Sequence, residues 1–188
     1  QLAADILVGL LRTSGVDLRK RCAEGLVRIH DAPKALLRYL SRDEISVALP
    51  LLEGGLGFDD SDLIATVRAG VSSHWLALAG RRGLSEPLTD ALLQTGDIAT
   101  IEAVLRNQTA KLSSQGIDLA VSRSRQAPSL PALLAPRREL RATQGLVLFW
   151  WANFEARLQI LRRFAVDRNV LLQELGDVFA LAAAEGWS

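Results

Sequence analysis

The 188-residue chain has the length of one domain and a net charge of +1, with 49% apolar but only 5% aromatic residues. Its single cysteine, Cys22, and two histidines, His30 and His74, exclude a disulfide framework and a Cys/His zinc site. Leu and Ala dominate, which favours helices over strands, and no apolar run reaches the roughly 18 residues that span a membrane.

Residues 2–30 read as a degenerate first helix pair. Leu7, Leu10 and Leu11 form one apolar stripe, Thr13-Ser14-Gly15 interrupts it, and Leu18, Cys22, Leu26 and Ile29 form the next. The run at 6–11 has no basic leader and follows Asp5, so it reads as a core helix and not as a signal peptide. Arg19-Lys20-Arg21 is expected on an exposed side and is too short for a nucleic-acid patch. A chain that opens on Gln1 and lacks Met reads as a fragment or a processed product.

The stretch 36–107 organises the remainder. Helix-start chemistry recurs at Asp31-Ala32-Pro33, at Asp59 to Asp62 and at Ser85-Glu86-Pro87, about 26–28 residues apart, a period that predicts a helical-repeat array. Breaks fall midway at Ser41-Arg42-Asp43, Ala69-Gly70 and Gly96-Asp97. After each comes a second stripe: Ile45, Ala48, Leu51 and Leu52; then Trp75, Leu78 and Ala79; then Ile98, Ile101, Val104 and Leu105. Such short pairs cannot bury their faces alone, so neighbours must stack. Gly54-Gly55-Leu56-Gly57 has neither a preceding strand nor a Gly-Lys-Ser/Thr sequence, and Asp59-Asp60 would repel phosphate, so it reads as a turn between helices. His74 is expected off the core stripe, with no positioned Asp, Ser or Cys to make it catalytic.

Beyond 107, Ser113 is placed to cap a helix running to about Arg125. Pro128, Pro131 and Pro136 then punctuate the chain around a short helix with Leu130, Leu133 and Leu134. The run 145–151, ending in Phe149-Trp150-Trp151, is apolar on every side and is expected to be buried all round. Asn153 begins a helix with Phe154, Leu158, Leu161 and Phe164 on one side, and a last helix is expected from roughly Val170 to Glu185. Charge is segregated along the chain: residues 12–42 carry +5, 43–111 carry −5 and 123–168 carry +6.

Leu40-Ser41-Arg42-Asp43 with Val47 to Leu52, Gly96-Asp97, Leu105-Arg106-Asn107, Phe149 to Ala152 and Arg163 to Arg168 together resemble an uncharacterised alphaproteobacterial family, domain of unknown function 2336. The resemblance implies a HEAT-like array and supplies no catalytic residues.

The expected fold is therefore an all-α, HEAT-like α-solenoid of about 10–12 helices closed by a C-terminal helical cap. It is one domain over 1–188, with repeats at 1–127 and a helical subdomain at 128–188. The expected function is a non-enzymatic scaffold for a protein partner, cytoplasmic, without cofactor, metal or membrane contact. Contacts are expected at His74, Arg81, Arg106, Arg138, Arg141 and Arg162. The alternative is DNA binding or repair of the HEAT-like alkylpurine glycosylase type. Its pocket would use Trp150, Trp151 and Arg157 with Glu155 or Asp167 as the acid, although the acidic middle of the array disfavours it.

Overall fold

A computed structural model describes residues 2–164, and the described residues form twelve helices and no strand. The last helix expected from the sequence, together with Asp167 and Trp187, lies outside the described residues. Residues up to Ala120 form one compact unit, and those from Val121 a second.

The first unit contains α1 (Leu2–Arg12), α2 (Val16–Leu26), α3 (Lys34–Leu40), α4 (Ile45–Gly54), α5 (Asp60–Ala69), α6 (Ser72–Ala79), α7 (Glu86–Gln94) and α8 (Ile98–Arg106), with α9 (Ser114–Ser124) leading out of it. Helices of like parity pack together: α2 on α4, α4 on α6 and α6 on α8 in one layer, α1 on α3 and α5 on α7 in the other. That is the packing of a helical repeat, and it buries most of each stripe read from the sequence, with Ile45, Trp75 and Ile98 half-buried. Ala48, Leu51, Leu52, Leu78, Ile101, Val104 and Leu105 are all essentially inaccessible.

Helix caps act through side chains at Asp59, Ser85, Asp97 and Ser113, the last accepting from the Gly116 N–H at 2.9 Å. Asp59 accepts from the Asp62 N–H at 2.9 Å, Ser85 from Leu88 at 3.4 Å and Asp97 from Thr100 at 2.9 Å. At α3 the helix instead opens on Pro33 without a side-chain cap. In the 54–57 turn Gly57 is there for space. A Cβ on Gly57 would stand 2.8 Å from the Leu37 side chain and 3.2 Å from the Ile29 carbonyl.

Three expectations are corrected. Among the described side chains of α1 only Leu11 is buried, while Leu7 and Leu10 are exposed, because among the described residues α1 packs chiefly on one neighbour, α3. In α2 the buried line is Ala23 and Leu26 and Leu18 faces outward, while Ile29 lies exposed beyond the helix end. Arg19 is not on an open face: its guanidinium grips Asp43 at 2.6 Å, with only 16% of its side chain exposed.

The second unit contains α10 (Leu130–Leu134), α11 (Ala142–Phe149) and α12 (Phe154–Phe164), with both shorter helices packed on α12. Asn153 caps α12 by accepting from the Ala156 N–H at 2.9 Å. The run 145–151 is not buried all round. Leu148 is enclosed, but Val147 is partly exposed and Trp150 is 71% exposed. Likewise the buried face of α12 is Ala156 and Ile160, and the line of Phe154 and Leu161 faces solvent.

Candidate interaction surface

Polar side chains join neighbouring repeats at a near-constant separation. Arg19 meets Asp43, Arg38 meets Asp62, Lys34 meets Asp59, Ser41 meets Thr66 and Ser72 meets Asp97, each partner 24 or 25 residues along. Asp62 is 2% exposed and takes Lys34 Nζ and Arg38 Nε at 2.7 Å each. Burial pushes its carboxyl up, but those two cations outweigh it and hold it below the ordinary value.

The even helices are stitched at their C-terminal ends by the repeat that follows. The Leu56 N–H donates to the Val27 carbonyl beyond α2 at 3.0 Å. Arg81 donates to the carbonyls of Leu51, Leu52 and Gly55 at the end of α4. The Asn107 amide donates to the carbonyls of Ala79 and Arg81 at the end of α6, at 2.8 and 2.7 Å. The Leu51 carbonyl also accepts the Gly55 N–H at 2.8 Å; the last carbonyls of a helix lack intrahelical donors, and the next repeat supplies them.

Two expected contact residues are thereby reassigned. Arg81 is a half-buried helix-end cap, and burial lowers its guanidinium pKa from the ordinary value. His74 is 7% exposed, and its Nε2–H donates to the Asp43 carbonyl at 2.8 Å, tying α6 to the turn before α4. Ser73 Oγ stands 3.4 Å from Nδ1, too far for a tight bond. Arg106 is exposed and pairs with Glu102 at 2.7 Å on its own helix. Among the described residues no group of three His, Cys, Asp or Glu side chains could hold a metal ion, and no helix is long and apolar enough to cross a membrane.

The second unit gathers the remaining expected residues. Trp150 and Phe154, 71% and 74% exposed, stand on either side of the α11–α12 turn. Arg157 braces that turn, donating to the carbonyls of Phe149 at 2.9 Å and Trp150 at 3.1 Å while lying over the Phe149 ring. Trp151 turns away: it is half-buried and its indole N–H donates to Ser124 at 2.8 Å. Trp150 is thus exposed while Trp151 is half-buried, and Arg157 is committed to the turn. Arg138 and Arg162 are both exposed and line one cleft, whereas Arg141 stands at the head of α11, its N–H donating to Gln144 at 2.9 Å.

Sequence reasoning named Asp62 only within a helix start and Asn107 only in the Leu105-Arg106-Asn107 motif, and missed their ties to the neighbouring repeat, although spacing held the signal. Asn107 follows α8 as Arg81 follows α6, one repeat apart.

A family model described as "Uncharacterised protein conserved in bacteria (DUF2336)" matches residues 47–188. No curated protein and no solved structure matches the chain.

Proposed function

The chain belongs to the bacterial family DUF2336, and from that premise we propose that it is a non-enzymatic, HEAT-like module that binds a protein partner through its second unit. The observation that carries the reading is the exposed pair Trp150 and Phe154, set on a turn that Arg157 holds rigid. Large aromatics left in water cost free energy, and Trp beside Arg is the composition of an interface hot spot. A rigid presenting turn also lowers the ordering cost of association. The imidazole of His74 is engaged by a backbone carbonyl, which supports the non-enzymatic reading. The free thiol Cys22 supports a reducing, cytoplasmic setting.

The test is affinity capture from a bacterial lysate with the wild type and the W150A/F154A double variant. A protein retained by the first and lost by the second, with equal unfolding midpoints, supports the proposal. Capture that survives both substitutions overturns it.

A further inference from the structure

A cleft of about 500 Å³ in the second unit is lined by Ala135, Pro136, Arg138, Gln159, Arg162 and Arg163. Its geometry is fixed by Arg163, whose guanidinium donates to the carbonyls of Ala135, Arg137, Arg138 and Leu140. Those bonds fasten the turn after α10 to the C-terminal half of α12. Arg138 on the turn is thus held beside Gln159 and Arg162 on the helix.

Among the described residues the charge in this cleft is uncompensated: no Asp or Glu of theirs lines it, and neither Arg138 nor Arg162 has an ion-pair partner. Glu139, the nearest carboxylate in sequence, is turned onto the buried Arg137 at 3.0 Å. The larger cleft between α1 and α3, about 670 Å³, differs on this point. Asp5 and Asp43 line it, and Arg38 and Asp43 are both spent on ion pairs.

We infer that the Arg138–Arg162 cleft is a subsite for one compact oxyanion, a carboxylate or a phosphate, carried by the protein partner. Guanidinium groups present a planar fork of donors that matches either anion, and the Gln159 amide adds a neutral donor. With the Arg163 donors taken up by carbonyls, the two guanidinium groups of Arg138 and Arg162 suit a single anionic group. A nucleic-acid backbone is held by contacts to about 6–10 phosphates. The inference deepens the partner-binding reading by naming the chemistry that the partner presents.

The experiment is an NMR titration of the ¹⁵N-labelled chain at low salt, following arginine Nε–Hε signals. Inorganic phosphate and acetate are the probes, and chloride at matched ionic strength is the control. Saturable shifts of Arg138 and Arg162, with affinity reduced about tenfold in R138Q and in R162Q, are expected. Tighter binding of phosphate identifies a phosphorylated segment, and tighter or equal binding of acetate an acidic one. Equal shifts at the exposed Arg12 and Arg42, or affinity unchanged in both variants, would overturn the subsite. No partner is present in the titration, so it can fail while capture dependent on Trp150 succeeds, and the reverse.

Discussion

The guanidinium of Arg81 donates to the Leu52 carbonyl at 3.2 Å, so the residue that follows α6 closes the end of α4 one repeat earlier. A cation is well placed at the negative end of a helix dipole, and the planar fork reaches several carbonyls together. R81A is expected to lower stability by about 1–3 kcal/mol in urea unfolding. R81K should recover part of the loss, since an ammonium cannot reproduce the fork. R106A removes only the exposed pair with Glu102 and should cost no more than about 0.5 kcal/mol. Equal losses in R81A and R106A would contradict the capping role.

The carboxylates at the repeat junctions predict acid sensitivity. Asp59 is lowered by the Ser61 hydroxyl, the Asp62 N–H and Lys34, and Asp97 chiefly by the Thr100 hydroxyl, against burial. Asp62 is lowered too, its cations outweighing the cost of burial. A carboxyl depressed on folding contributes stability above its unfolded value, near 3.9, and that contribution is lost as pH falls through the folded value. Stability should therefore be level between about pH 7 and 5 and fall below about pH 4. D59N and D97N should flatten the acid limb, and D62N should also weaken the fold at pH 7. Unfolding midpoints measured from pH 2 to 7 check this, and an unchanged limb in D59N/D97N would count against it.

Two glycines should respond with opposite signs. Nothing lies within 4 Å of a Cβ built on Gly25, inside α2, so G25A should stabilise by about 0.5–1 kcal/mol. G57A drives a methyl into Leu37 and the backbone beside it, and should cost about 1–3 kcal/mol. Thermal unfolding of the two variants beside the wild type measures both.

The tryptophans should differ in solvent contact. W150F is expected to lower acrylamide quenching of the emission more than W75F or W151F. Trp75 donates to the Val67 carbonyl and Trp151 to Ser124, and both are half-buried. A larger drop in W151F would reverse the assignment of the exposed ring.

The repeats were legible in the sequence because their signals are local. A capping Asp59 or Ser85, a break at Gly70 and a stripe such as Ile101, Val104 and Leu105 each act within one helix. What lay hidden depends on partners a repeat away. Arg81 and His74 look like surface groups until the α4 carbonyls and Asp43 are brought to them. Periodicity also marked an apolar side of α12 without saying whether it faced inward. Ala156 and Ile160 took the interior because the neighbouring helices approach that side, leaving Phe154 and Leu161 in water. Arg138 and Arg162 were picked out singly, and only the fold shows that they share a cleft.

Photo-crosslinking in living bacteria tests the central proposal most directly. p-Benzoylphenylalanine is placed at Trp150, and separately at Val71, which is 60% exposed in the first unit. The account predicts a discrete protein adduct from position 150 and none from position 71. No adduct at 150, or the same adduct from both positions, would contradict it.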